Sequence, residues 1–256
     1  MPDRVRERWE RGEVALNAWL SLEGASSAEV VARAGFDAVT VDLQHGAVTL
    51  DTLGAIVAAI EPMAVPFVRL ASNDAASAMR VLDVGARGVI GPMVNSPEEA
   101  NDLARACRYP PRGIRSYGPV RSAFGTGREQ TEPANQAVLV FAQIETAEGL
   151  AAVDDICAVN GIDGVYVGPA DLSLALGLPS FADLEDPSLL EALGTILEAT
   201  RANRVVPGIH APSAASAVAM ARLGFTFIGS AWDAVALSSA LSTSTGWVRA
   251  ELERDA

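Results

Sequence analysis

Within its 256 residues the chain carries 32 acidic and 19 basic side chains, a formal net charge of −13, and half of the residues are hydrophobic. This balance argues against a nucleic-acid partner, because phosphate binding needs a basic surface; the apolar half is enough for a sizeable core. All 19 basic residues are arginine, and a chain without a lysine amine forms no Schiff base and builds no Walker-type phosphate loop, which removes imine-forming aldolases and pyridoxal-phosphate enzymes.

The first stretch, MPDRVRERWERGE, is charged and lacks the apolar centre of a signal peptide. No apolar run approaches the ~18 residues of a membrane helix. The expectation is a soluble, cytoplasmic protein with no membrane partner. Eight short, β-rich apolar runs then follow: ALNAWLSL (15–22), AVTVDLQ (38–44), VPFVRL (65–70), GVIGPM (88–93), AVLVFAQIE (137–145), GVYVGPA (164–170), VVPGIHA (205–211) and FTFIGSA (225–231). Helical patterns separate them, among them SSAEVVARAG, DAASAMRVLDVG, SPEEANDLARACR and SAASAVAMARLG, several with Ser or Asp placed as N-cap and Gly at the close. Near-continuous apolar strands alternating with helices imply a parallel sheet covered on its outside. Eight such units in about 250 residues predict an α/β fold, a (β/α)8 TIM barrel, in a single domain spanning 1–256. A doubly wound open sheet is the alternative, but no GxGxxG follows the first strand. The irregular segments 108–136 and 177–188 are expected at the C-terminal mouth of the barrel. The last helix, about 233–252, is expected to pack on the barrel or on a neighbouring subunit through Trp247. Cys107 and Cys157 lie in helical patterns without CxxC spacing and read as small buried thiols.

A barrel gathers the C-terminal ends of its strands around one pocket. The polar residues at those ends are Asp42, Gln44 and His45, then Arg69, then Gln143 and Glu145, then Asp171, His210, Ser230 and Asp233. Glu145 and Asp171 are hard oxygen donors on neighbouring strands, a set suited to Mg2+ or Mn2+; the rival reading makes each a helix cap or an arginine partner. His45 is placed as a general base, imidazole being the side chain suited to proton transfer near neutrality, or else as a histidine hydrogen-bonded beneath the loops. Arg69 ends an apolar strand, where a cation needs an anion: a substrate carboxylate, an enolate oxygen, or an internal partner in Asp42 or Glu145. His210 either lines the pocket or simply ends its strand. Arg112, Arg115 and Arg121 form a cationic loop that attracts an anionic substrate or pairs with acids at a subunit contact.

These residues stand in stretches that resemble the HpcH/HpaI aldolases, metal-dependent enzymes of pyruvate-type chemistry that include 4-hydroxy-2-oxoheptanedioate aldolase. The stretches are AGFDAVTVDLQHG, VLDVGARGVIGPMVNSPEEA, RYPPRGIRS, QIET and GIDGVYVGPADLS, and the similarity runs from about NAWLSL to GSAWD. The resemblance implies a (β/α)8 barrel assembled into a homo-oligomer, a hexamer built as a trimer of dimers. It implies a divalent metal ion, Mg2+ or Mn2+, on Glu145 and Asp171, with His45 as catalytic base and Arg69 beside the enolate. Gln143, Ala170, Asp171 and His210 would contact a small 2-oxo acid and its aldehyde partner, with Asp42 and Gln44 supporting them from behind. It further implies Asp83 as the acid that raises the basicity of the histidine. As the end of a returning helix, Asp83 would reach a His45 only across a subunit contact. Two positions depart from the family pattern: Gln44, where many members carry Glu, and His210, where an apolar residue is expected, which suggests a polar or smaller aldehyde. A citrate-lyase-β-like acyl-CoA lyase is the alternative activity, its CoA held by the arginine-rich loop.

Overall fold

The structure is a computed structural model and describes residues 4–119, 121, 130–180 and 182–254. The elements run α1 (Arg4–Glu10), β1 (Ala15–Leu20), α2 (Ala25–Arg33), β2 (Ala38–Asp42), α3 (Leu50–Ile60), β3 (Val65–Arg69), α4 (Ala75–Asp83), β4 (Gly88–Gly91), α5 (Pro97–Ala106) and α6 (Thr131–Ala137). They continue with β5 (Leu139–Ile144), α7 (Ala147–Ala151), α8 (Val153–Cys157), β6 (Gly164–Val167), α9 (Pro169–Ala175), α10 (Pro187–Asn203), β7 (Val206–His210), α11 (Ala214–Leu223), β8 (Phe227–Trp232) and α12 (Asp233–Arg254). Among the described residues the eight strands are parallel, neighbour one another in chain order and close through β1 and β8. This is a (β/α)8 barrel, and each of the eight apolar runs supplies one strand.

Helix signals hold locally. Asp74, Ser96 and Ser213 accept hydrogen bonds from the backbone N–H groups of Ser77, Glu99 and Ser216 at 2.9, 3.2 and 3.1 Å, capping α4, α5 and α11. On α3 the residues Leu53, Ile56, Val57 and Ile60 recur at helical spacing and are fully buried against the sheet. The main core lies in that layer between strands and helices. A second cluster fills the barrel interior with Phe67, Phe141, Tyr166, Phe227 and Trp19, together with Ala15, Ala38, Val65, Ile90 and Leu139. Size alternates around the interior: a Cβ at Gly88 would meet the Phe67 ring at 2.2 Å, and one at Gly164 would meet the Phe141 ring at 2.4 Å. Helix α1 closes the lower end, with Val5 fully buried and Trp9 packed on Phe141 and Phe227. Cys107 and Cys157 are free and buried, and burial pushes each thiol up to about 12.

Two expectations about the loops part company. The segment after α9 does stand at the mouth, where Ala182 lines the pocket. The segment that follows α5 does not. Helix α5 has already returned the chain to the lower end, so residues 107–119 and 121 pack beneath the barrel; residues 120 and 122–129 of the expected 108–136 loop lie outside the described residues. Arg121 donates to Glu61 at 2.7 Å at the end of α3, Arg115 to Asp83 at 2.8 Å at the end of α4, and Arg112 pairs with Glu132. The three arginines are thus neutralised by acids far from the mouth. No helix among the described residues is long and apolar enough to cross a membrane.

Candidate active site

Strand alternation decides what enters the barrel, since residues two apart share a face. On β1 and β2 the inward positions carry Asn17, Trp19, Thr40 and Asp42; Tyr166 and His210 take them on β6 and β7, and Gln143 and Glu145 share a face on β5. At the C-terminal ends these converge on a pocket of about 190 Å³ lined by Trp19, Asp42, His45, Arg69, Gln143, Tyr166, Ala170, Asp171 and His210, with Gly168, Pro169, Ala182, Pro212 and Trp232 completing the wall.

The anchor of one side is Asp42. It and Arg69 are register partners on β2 and β3, and Arg69 donates two hydrogen bonds to it, Nε to Oδ1 at 2.9 Å and Nη2 to Oδ2 at 2.6 Å. Trp19 Nε1 also donates to Oδ2, at 3.2 Å, and the Arg69 guanidinium lies 4.9 Å from the Trp19 ring centre. The backbone N–H groups of Gln44 and His45 donate to Oδ1 at 3.0 and 3.3 Å. Burial works to raise the Asp42 carboxyl, but Arg69 and Trp19 outweigh it and hold it below the usual carboxylate range. The internal partner of Arg69 is therefore Asp42. A guanidinium has five N–H donors, so those not given to Asp42 remain for a ligand. His45 stands exposed just beyond, its backbone tied to Asp42 and its ring at the pocket wall.

The opposite side is built from β5 and β6. Glu145 is 2 % exposed and accepts from the Met93 backbone N–H at 2.8 Å and from Gln143 Nε2 at 2.6 Å. Met93 has φ 54, a left-handed conformation uncommon outside glycine, at the position that delivers this N–H. Burial pushes the Glu145 carboxyl up, Asp171 adds to the rise, and the Met93 N–H and Arg69 pull against it. Asp171 is exposed in the first turn of α9, whose N-cap is Gly168; among the described residues it forms no ion pair. Neither carboxylate thus caps its helix or takes an arginine. Gly168 keeps the space beside them clear, because a Cβ there would fall 2.9 Å from both Glu145 Oε2 and Gln143 Nε2. Gln143 Oε1 is enclosed without a partner. An all-oxygen set around such a cleared space fits a hard divalent cation. Among the described residues no group of three or more His, Cys, Asp or Glu side chains gathers, so two carboxylates would need water or substrate oxygens to complete the shell.

Three aromatic residues of the mouth, Trp19, Tyr166 and Trp232, were not singled out by the sequence. Trp19 stacks on Tyr166 at 5.4 Å between ring centres and takes the His210 ring edge-on at 5.5 Å. Trp232 donates to Ser21 Oγ at 2.6 Å and walls the pocket. Burial pushes the Tyr166 phenol up, against the pull of Asn17, Arg69 and the Gly229 N–H. Burial, reinforced by Arg69 and opposed by Asp42, lowers His210 to about 4. Only the period-two alternation of the strands could have marked these residues as inward.

Some expected residues are not brought in. Asp83 ends α4 at the lower end, where it accepts from Arg115, and does not meet His45 of the same chain. Asp233 turns onto β1, accepting from the Ser21 and Leu22 backbone at 3.0 and 2.9 Å, and seals the β8–β1 seam. Gln44, expected behind the contacting residues, donates its backbone N–H to Asp42 and keeps its Oε1 enclosed without a partner.

The sequence profile of the HpcH/HpaI aldolase/citrate lyase family matches residues 16–240. The chain belongs to the HpcH/HpaI aldolase/citrate lyase family. It is 41 % identical over 93 % of its length to a hydroxypyruvate/pyruvate aldolase of Rhizorhabdus wittichii, covering 95 % of that protein. It is 34 % identical to a 4-hydroxy-2-oxo-heptane-1,7-dioate aldolase of Salmonella arizonae over 93 % of this chain and 91 % of the relative. The crystal structure of a family protein from Burkholderia cenocepacia superposes with a TM-score of 0.86 at 32 % identity, covering 93 % of this chain and 95 % of the other.

Proposed function

We propose that this family member is a divalent-metal-dependent aldolase. It cleaves or forms a 4-hydroxy-2-oxo acid, the products being pyruvate, or a hydroxypyruvate-like 2-oxo acid, and an aldehyde. The observation that carries the reading is one pocket lined by Asp171, Arg69 and His45, with the buried Glu145 bonded to its wall through Gln143, in a chain with no lysine. An enolate that cannot be stored as an enamine must be stabilised by charge. The printed activities of the Rhizorhabdus and Salmonella relatives support the same chemistry.

A divalent cation, Mg2+ or Mn2+, held by Glu145 and Asp171 would supply Lewis-acid stabilisation of the charge that develops on the keto oxygen. Gln143 positions the Glu145 carboxylate through its amide. The Gln143 side chain and the backbone at Ala170 face the 2-oxo acid. Arg69, fixed by Asp42 and so preorganised, presents its remaining N–H donors to the enolate oxygen. His45 accepts the proton of the 4-hydroxyl; the C3–C4 bond breaks, the aldehyde leaves, and protonation of the enolate at C3 releases the 2-oxo acid. Substitution of His45 by Ala should lower turnover by about 10²-fold or more, read as pyruvate released from a 4-hydroxy-2-oxo acid, as expected for loss of a general base.

The acyl-CoA alternative relied on an arginine-rich loop at the mouth. Arg112, Arg115 and Arg121 instead lie at the lower end of the barrel, each beside an acid, and in this chain they offer the mouth no CoA site. Pyruvate plus glycolaldehyde, set against a malyl-CoA thioester, separates the two activities: aldol product with no thioester cleavage is expected, and the reverse overturns the reading. The protein acts as a homo-oligomer, a hexamer in this reading, in which Asp83 serves a histidine of a neighbouring subunit.

A further inference from the structure

The floor of the mouth holds three enclosed polar atoms without partners: Asn17 Nδ2, Tyr166 Oη and His210 Nδ1. They are neighbours. A Cβ at Gly229 would lie 2.3 Å from Tyr166 Oη and 3.0 Å from His210 Nδ1, so both crowd the same point, and the Asn17 side chain approaches the Tyr166 hydroxyl from β1. Buried polar atoms without partners are rare and call for an explanation. Their donor and acceptor inventory orders them in one direction. Thr40 Oγ1 donates to Asn17 Oδ1 at 3.0 Å, which turns the Asn17 NH2 towards Tyr166. A phenol that receives from Asn17 has its own O–H to give, and His210 Nδ1 is the unpartnered acceptor that faces the same glycine. An imidazole accepting at Nδ1 carries its proton on Nε2. That nitrogen is not enclosed, and the ring lines the pocket.

We propose that Asn17, Tyr166 and His210 form a subsite that reads a substrate hydroxyl, with His210 Nε2–H as the donor and Tyr166 as the residue that fixes its tautomer. This rests on the aldolase reading and deepens it. The hydroxyl is not the scissile one. His45 follows β2 and His210 ends β7, with β8 and β1 between them, so the two rings reach the pocket from different sides, and we assign them different oxygens. The ligand is therefore a 2-oxo acid hydroxylated beside its keto group, or an aldehyde hydroxylated beside its carbonyl. A site built to bond a hydroxyl rejects the analogue that lacks it, because its own buried groups then go unpaired.

Isosteric pairs test this on the Mn2+-loaded enzyme. One pair is glycolaldehyde and propanal, each with pyruvate; the other is hydroxypyruvate and 2-oxobutyrate, each with glycolaldehyde. Wild type should favour the hydroxylated member of at least one pair in kcat/KM. His210→Leu and Tyr166→Phe should each cut that ratio by about 10-fold or more. A ratio within one variant is blind to losses of folding or metal loading. The pair that responds names the substrate carrying the hydroxyl; unchanged ratios in both variants overturn the subsite. A second readout needs no turnover. With two histidines in the chain, 15N-histidine NMR should show His210 as the Nε2–H tautomer in wild type and a shift towards Nδ1–H in Tyr166→Phe; wild type in the Nδ1–H form overturns the relay. Wild-type exchange of pyruvate methyl protons in D2O separates the two levels: exchange with unchanged ratios sinks the subsite alone, and absence of exchange sinks the aldolase reading with it.

Discussion

At the scale of single residues the mouth is organised by Asp42. It was legible as one candidate partner for Arg69, because a cation at the end of an apolar strand demands an anion, and register then chose it over Glu145. Asp42→Asn leaves Arg69, a residue 7 % exposed, without its counter-charge. Breaking a buried pair from one side costs roughly 3–5 kcal/mol, so denaturant unfolding should show a loss near that size. The pair also sets an acid limit: with its carboxyl held low, Asp42 contributes stability that is full above the ordinary carboxylate range and is lost as pH falls through its lowered value. His210 acts on a different window. Its imidazole is lowered from 6.5 to about 4, so between those values the unfolded chain binds a proton that the native chain refuses. Stability should fall as pH drops from 6.5 to about 4, and His210→Gln should flatten that slope in urea titrations across the range. Trp19 and Tyr166 were not legible as pocket residues, since an inward aromatic on a strand has the same signature as core.

The element scale explains both the success of the barrel reading and its main error. Eight apolar runs separated by capped helices admit few architectures, and right-handed parallel crossovers narrow these further. The segment after α5 was misplaced because its length and its Pro, Gly and Arg content resemble an active-site loop. Its position after a completed helix is the stronger signal: βα connections reach the mouth, and αβ connections return to the bottom. Helix α1 went unread because seven residues with one buried valine carry almost no pattern. The interior glycines test the packing account. Gly88 and Gly164 face Phe67 and Phe141 with no room for a methyl group. Gly164→Ala should destabilise by about 1–3 kcal/mol, the usual cost of overpacking. Gly54→Ala on α3, where nothing lies within 4 Å of the new Cβ, should be neutral or stabilising by comparison in the same unfolding assay.

On the scale of the whole molecule, α12 is the outlier. It runs 22 residues and buries none of them in the chain, and Val235, Leu237, Leu241, Trp247, Val248 and Leu252 are exposed, Trp247 by 65 %. Apolar surface of this extent marks a contact face. Trp247 alone drew notice in the sequence, because the helix is Ser- and Ala-rich and its amphipathic stripe is weak. In the proposed hexamer the stripe would be covered by a neighbour. Sedimentation should give six-fold the chain mass for wild type and smaller species for Leu241→Asp/Trp247→Asp, with unchanged mass in the double variant contradicting the assignment. In the proposed reaction, turnover rests on Glu145 and Asp171. Exchange of pyruvate methyl protons in D2O, followed by NMR on exhaustively chelated enzyme before and after Mn2+ is restored, tests it most directly. No exchange is expected without the cation, recovery with it, and no recovery in Glu145→Gln; undiminished exchange in the chelated enzyme would rule out the metal role.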